Sequence, residues 1–200
     1  MTTSPLPGPV SRSSHQEHPV SQSSRAEALL ERIPLDVATL GQLSGRHLLS
    51  LSHVSPELMA QVFRLAAHFE LGQVEEDQPM RGRILSNVFL DNSHNHTRLS
   101  FNSAWLRLGG SLLNFEKSID EITGHRHASD ELAELCSNYG DIAVLRTDEH
   151  HHHALEEMVE SFRVPVINAG NGHDEHPTNA MTDLYTLLKW RPDLLMDDGD

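Results

Sequence analysis

The sequence has one cysteine, Cys136, in 200 residues. An internal disulfide is thereby excluded, and the chain is expected in a reducing, cytoplasmic compartment. No apolar run reaches the length that spans a bilayer. The first residues carry no signal-peptide apolar region. Positive charge is scarce: 15 Lys and Arg face 29 Asp and Glu, a formal net charge of −14 with His neutral. That sign argues against general binding of nucleic acid or of an anionic membrane. An anionic ligand must then be held by a local positive cluster, so each Arg or Lys missing from such a site matters. What is present, at 38% hydrophobic and 22% charged, reads as a soluble globular chain. It is long enough for one domain with a real core.

Residues 1–24 are Ser, Pro, Gln and His with few apolar side chains. Such a stretch cannot bury enough surface to offset its ordering entropy, and a disordered tail is expected there. His15 and His18 read as solvated linker. The domain is expected over 25–190, with an acidic tail over 191–200. Ala26–Ile33 forms a short amphipathic helix candidate stopped by Pro34. Ser55-Pro56-Glu57 is a strong helix start, with a Ser cap, Pro in the first turn and an acid at the positive end. Leu58, Val62, Leu65, Ala66 and Phe69 follow at helical spacing, and Gly72 ends the run. This helix is expected to cover one face of a sheet, with Met59 and Phe69 in the core.

Four strand candidates follow: Ile84–Leu90, Ser111–Phe115, Ile142–Leu145 and Pro165–Asn168. Helical patterns over about 97–108, 129–138, 149–161 and 177–190 separate them and follow the last. Alternation of this kind predicts an α/β domain, three layers deep, with a mainly parallel sheet flanked by helices. Ligands in such sheets sit beyond the carboxyl ends of the strands. The loops to inspect are 91–96, 116–128, 146–149 and 169–176. At the first of these a buried-looking strand feeds a polar loop that opens into a helix near Thr97. Unsatisfied amides and the positive end of the helix dipole then meet at one spot, which suits phosphate.

In that stretch Phe89, Asp91, Ser93, Thr97, Arg98, Ser100 and Phe101 fit the pattern Phe-x-(Glu/Asp)-x-Ser-Thr-Arg-Thr-Arg-x-Ser-Phe. The chain here resembles the aspartate/ornithine carbamoyltransferases, and their aspartate-type members in particular. Gly45 to Ser50, Arg107-Leu108-Gly109-Gly110 and the run 165–186, which contains Asn168-Ala169-Gly170-Asn171-Gly172 and His176-Pro177-Thr178-Asn179, extend the resemblance over about Gly45 to Lys189. It spans the family's carbamoyl-phosphate-binding domain and none of its second, amino-acid-binding domain.

Carbamoyl transfer requires a neutralised leaving phosphate, a polarised carbonyl oxygen and an amine held in line. The resemblance implies phosphate contacts at Ser93 (or His94 in an ungapped alignment) and Thr97, with Arg98 beside them in a more structural role. It implies that Arg146 and His176 polarise the carbonyl and that the Asn179 amide holds the carbamoyl NH2. The middle of the signature departs: His94-Asn95-His96 replaces Thr-Arg and is one residue longer. An ungapped alignment places His96 on the catalytic arginine; a gapped one leaves that arginine without a counterpart. Imidazole offers at most one donor where a guanidinium offers a fork. His94 and His96 therefore read either as part of an altered working site or as solvated loop residues in a decayed one. In the loop Glu116 to Ser129, His125 falls near the position of a lysine that the aspartate enzymes lend to a neighbouring subunit. Arg126 is a substitute cation, or the loop is simply solvated, His127 included.

The run His150–His153 sits at an expected helix start, where side chains at i and i+3 share a face that suits zinc or nickel. No Cys or clear carboxylate completes the set beyond the adjacent Asp148 and Glu149, so no metal site is assigned and no cofactor is expected. Beside a metal-responsive binding module built on the histidines, two functional readings stay open. One is the carbamoyl-phosphate-binding half of an aspartate-type carbamoyltransferase, serving pyrimidine or arginine type metabolism. It would take carbamoyl phosphate itself and reach its amino-acid co-substrate through a missing domain or a partner chain, in a trimer-like homo- or hetero-oligomer. The other is a catalytically inactive structural or regulatory subunit of the same family.

Overall fold

The structure, a computed structural model, describes residues 22–72, 78–90, 95–115, 128–147, 154–172 and 174–195. Four strands form one parallel sheet: β1 (Ile84–Phe89), β2 (Ser111–Phe115), β3 (Ile142–Thr147) and β4 (Val166–Asn171), in the order β2-β1-β3-β4. The expected α/β architecture is therefore present. β1 and β3 are central, and all but the first residue of each is buried because both faces are covered. Strand β2 is the edge, and its residues are half-buried or exposed.

The chain leaves β1 toward β2, then turns back across β1 to β3. Right-handed crossovers send these connections to opposite faces. Helix α4 (Asn95–Arg107) covers one face, where Phe101 and Trp105 pack on Leu85, Phe89 and Val144. Helices α5 (Ala128–Tyr139) and α6 (Ala154–Glu160) cover the other, with Leu132, Cys136, Leu155 and Val159 packed on Val88, Leu145 and Val166. Burial there pushes the Cys136 thiol up to about 12, so it stays an inert core thiol. Gly110 follows α4 because a Cβ would lie 2.2 Å from the Trp105 indole nitrogen.

Helices α1 (Gln22–Arg32), α2 (Val37–Gly41), α3 (Pro56–Glu70) and α7 (Pro177–Trp190) complete the fold, with single 3₁₀ turns at Leu51–His53 and Pro192–Leu195. Helix α1 starts at Gln22, ahead of the expected Ala26. Ser55 caps α3 as expected, its hydroxyl accepting from the Leu58 N–H at 3.2 Å. The placement of α3 differs from expectation. Its buried residues are Leu58, Gln61, Phe63 and Ala67, and they pack with α1 and α7 in a cluster that takes no buried member from a strand. Phe69, expected inside, is exposed, as is Leu65 from the same helical spacing, and Met59 is only partly buried. Gln61 is buried because its side-chain amide donates to Pro34 O and accepts from Asp36 N–H, both at 2.9 Å.

Two fastenings fix α7. Tyr185 Oη donates to Glu70 at 2.6 Å, and Lys189 Nζ donates to both Glu70 oxygens at 2.7 and 2.8 Å. Burial opposes the Glu70 charge, but Lys189 and Tyr185 outweigh it and hold the carboxyl below its ordinary range. Arg25 of α1 lies over the Trp190 ring, 3.5 Å from its centroid. The outer side of β4 is covered by one bridge from Leu48, whose N–H donates to Val166 O at 2.8 Å and whose carbonyl accepts from Asn168 N–H at 2.9 Å. Among the described residues no helix is long and apolar enough to cross a membrane.

Candidate functional site

Strand β3 lies between β1 and β4, so the chain segments leaving β1 and β4 flank the carboxyl end of β3. Helix α4 follows β1 and helix α7 follows β4. Their N-terminal halves face one another across a hollow of about 280 Å³. Thr97, Ser100, Phe101 and Ala104 line it from α4; His176, Thr178, Asn179 and Thr182 line it from α7. The first set is spaced i, i+3, i+4, i+7, one face of a helix; the second includes the i+4 pair Thr178 and Thr182. Two helix N-termini supply the hollow with positive potential despite the acidic chain.

Arg146 reaches the same place from β3. The strand runs to Thr147, so Arg146 lies within it and not beyond its end as expected. Its partner strand is irregular there. Leu145 pairs with Asn168 but Thr147 with Asn171, which leaves one extra residue in β4. The bulge contains Gly170 at φ +114°. A Cβ on Gly170 would come within 2.3 Å of Arg146 Nη1 and 3.3 Å of His176 Cδ2. Arg146 and His176 thus meet over a glycine that only a bare backbone allows. Arg146 Nη1 also donates to Ala169 O at 2.7 Å, and the side chain is 7% exposed. A buried charged hydrogen bond of this kind fixes the guanidinium.

His176 is the N-cap residue of α7, yet its side chain makes no capping bond to the helix. Its Nδ1 lies 3.4 Å from Thr178 Oγ1. The loop before it is held by its own network. Asn171 Oδ1 accepts from Glu175 N–H at 2.8 Å, and Asn171 N–H donates to Glu175 O at 3.1 Å. Asn168, fully buried, accepts from Gly170 N–H at 2.8 Å and donates to Leu49 O at 2.9 Å.

The expected site residues divide as follows. Thr97, His176 and Asn179 line the hollow, and Arg146 touches the His176 side of it through Gly170. Asn179 Nδ2 leans toward Asp183, at 3.5 Å. His96 is exposed in the first turn of α4 and Arg98 is half-buried in the next position but one; neither lines the hollow. Helix α4 begins at Asn95, ahead of the expected Thr97. Ser93, His94, the loop carrying His125, Arg126 and His127, and the run His150–His153 lie outside the described residues. Helix α6 starts at Ala154, inside the expected 149–161. Among the described residues no group of His, Cys, Asp and Glu is placed to hold a metal ion. Sequence reading did not single out Ala104, Thr182 and the Gly170 contact as parts of the site. The helical spacing from Thr97 and Thr178 would have found the first two.

A larger depression of about 470 Å³ lies at the sheet edge, lined by Ile84, Ser111, Leu112, Leu113, Phe115, Leu135 and Tyr139. It is nearly all apolar, and Ser111 and Tyr139 are the polar side chains in its lining. The smaller hollow, with convergent polar groups, is the candidate site.

Comparison with known proteins gives the family of the chain. The family model described as "Aspartate/ornithine carbamoyltransferase, carbamoyl-P binding domain" matches residues 46–189. The aspartate carbamoyltransferase catalytic subunit of Clostridium kluyveri is 33% identical over 145 residues, 72% of this chain and 46% of the relative. That of Picrophilus torridus is 35% identical over 153 residues, 74% of this chain and 48% of the relative. Aspartate transcarbamoylase from Trypanosoma cruzi in complex with phosphate superposes with a TM-score of 0.66 at 29% identity, covering 74% of this chain and 46% of that one. Its complex with carbamoyl phosphate gives 0.64 at 30% identity, covering 77% and 50%. The chain spans about half the length of the curated relatives it matches.

Proposed function

This chain belongs to the aspartate/ornithine carbamoyltransferase family, and from that premise we propose that it is the carbamoyl-phosphate-binding half of an aspartate-type carbamoyltransferase. The observation that carries the reading is the meeting of Thr97, His176 and Asn179 around one hollow, with Arg146 against His176 over Gly170. Thr97 and the first-turn amides of α4 hold the phosphate, joined by Ser93 or His94, with Arg98 beside them in a more structural role outside the lining of the hollow. Arg146 and His176 direct N–H donors at the carbonyl oxygen, where charge develops. Asn179 accepts from the carbamoyl NH2. The amine nitrogen attacks the carbonyl carbon, forming the C–N bond. The oxyanion collapses, the C–O bond to phosphate breaks, and the amine proton leaves with the phosphate. His96 holds the position of a family arginine; exposed in the first turn of α4 and outside the lining of the hollow, it adds one donor toward the bridging oxygen from the solvent side.

The amino-acid co-substrate is brought by a second domain or a partner chain, in an oligomer of trimer type, within a reducing cytoplasm. Isothermal titration of the chain with carbamoyl phosphate tests the reading. Heat that inorganic phosphate competes away is expected; no heat at millimolar ligand with folded protein overturns it.

One observation favours a second reading, an inactive structural or regulatory subunit. Among the described residues no lysine or arginine lines the hollow, while the turn Gly109-Gly110 that seats Trp105 is kept. Co-purification with an active carbamoyltransferase, together with absence of carbamoyl phosphate binding, is the outcome this second reading requires.

A further inference from the structure

The chain leading into α3 is fastened to β4 and to the loop beyond it, residue after residue. The His47 ring nitrogen Nδ1 accepts from Val166 N–H at 3.1 Å. Leu48 forms its bridge, and Leu49 O accepts from Asn168 Nδ2 at 2.9 Å. The last fastening is Glu175. Its Oε1 accepts from Ser50 Oγ at 2.8 Å, and its Oε2 from Leu51 N–H at 3.3 Å. Ser50 and Ser52 hydroxyls lie 2.7 Å apart. With the Ser50 proton given to Glu175, Ser52 donates to Ser50. The carboxylate therefore ends a directed chain of hydroxyls and an amide. Glu175 immediately precedes His176, and its backbone is pinned on the other side by Asn171 through its own N–H and carbonyl.

We propose that Glu175 is a positioning residue: braced by the Ser50 hydroxyl and the Leu51 N–H, it fixes the bend at which His176 is presented to the hollow. The physical case rests on the contacts made at the bend. His176 takes non-helical angles, φ −137° and ψ 78°, and its ring lies near Thr178 Oγ1 and against the Gly170 seat. The angle at which the chain enters α7 is set by the residue before it, and there the Glu175 side chain reaches across to Ser50 and Leu51 in the segment before α3. Glu175 is exposed, so core packing does not explain its contacts. Charge-assisted bonds to a hydroxyl and an amide are short-range and directional, which suits orientation more than overall stability. The inference rests on the carbamoyl phosphate reading for what His176 does, but not for how it is held.

Two measurements on the full 200-residue chain separate these levels. The first is the ring resonance of His176 without ligand, assigned by comparison with His176→Asn. In Glu175→Ala and in Ser50→Ala it should shift or broaden, and in Glu175→Gln, whose amide oxygen still accepts, it should return close to wild type. A resonance unmoved in both Ala variants overturns the proposal. The second is titration with carbamoyl phosphate and with inorganic phosphate. Glu175→Ala should weaken carbamoyl phosphate roughly ten-fold, the scale of one misplaced hydrogen bond, and phosphate by about two-fold or less. Parallel loss of both ligands would mean a merely structural role and also overturns it. Wild-type protein that binds no carbamoyl phosphate refutes the functional reading alone, and the ring resonance then decides the brace. Ser50→Ala leaves the backbone before His176 untouched, so it decides the matter even where Glu175→Ala does not fold.

Discussion

Arg146 and His176 both border the space a Cβ of Gly170 would fill, 2.3 Å from one and 3.3 Å from the other. Gly170→Ala should therefore do two things. At φ +114° an L side chain is strained, costing about 1–3 kcal/mol. The methyl must also displace the Arg146 guanidinium from Ala169 O. Thermal denaturation should show the first effect. Titration should show at least a roughly ten-fold loss of carbamoyl phosphate affinity for the second. Affinity equal to wild type would mean that Arg146 plays no part in the site.

His96→Arg tests the departure at the phosphate loop. A guanidinium carries fixed charge and a forked donor where imidazole offers one N–H. The exposed first turn of α4 has room for it. Phosphate and carbamoyl phosphate should bind more tightly, by roughly ten-fold at low salt, with the gain shrinking as ionic strength rises. Unchanged affinity at low salt would remove His96 from the catalytic set and favour the inactive subunit.

Helix α3 gives a paired test of core assignment. Phe63 is 3% exposed, its ring centroid 6.0 Å from that of Tyr185 at a tilt of 43°; Phe69 is 36% exposed. Phe63→Ala should cost about 3–5 kcal/mol in denaturant unfolding, and Phe69→Ala only about 0.5 kcal/mol. Equal losses would restore the face expected from spacing.

That contrast shows what the residues revealed and what they withheld. The four strands and the Ser55 cap were legible because each signal is local: a short apolar run, a hydroxyl ahead of Pro56. The buried face of α3 was not, because α1 and α7 chose it from far along the chain. Gln61 is inside only because Pro34 and Asp36 meet its amide. The same holds at the site. His176 and Thr97 stood out by motif. The seat of Arg146 on Gly170 depends on a bulge, which exists only in the register between β3 and β4.

His47 gives a pH dependence with a definite sign. Burial lowers its pKa below 6.5, and its Nδ1 accepts a hydrogen bond from Val166 N–H, which only the unprotonated nitrogen can do. Unfolding restores the ordinary pKa, so the unfolded chain binds the proton more readily. The stability His47 contributes is thus present above pH 6.5 and is lost as pH falls below that value and through the folded one. One such bond is worth about 0.5–1.5 kcal/mol, or roughly 1–5 °C in Tm for a chain of this size. The chain carries 15 histidines, so the quantity to measure is the Tm of wild type minus that of His47→Leu, between pH 8 and pH 5. Leucine removes both the acceptor and the proton site. The difference should be largest at the alkaline end and shrink toward acid, because protonation of His47 removes from wild type what the substitution has already removed. A difference that stays constant across the range would mean that His47 holds Val166 equally well with or without its proton, and the bond assigned to Nδ1 would be wrong.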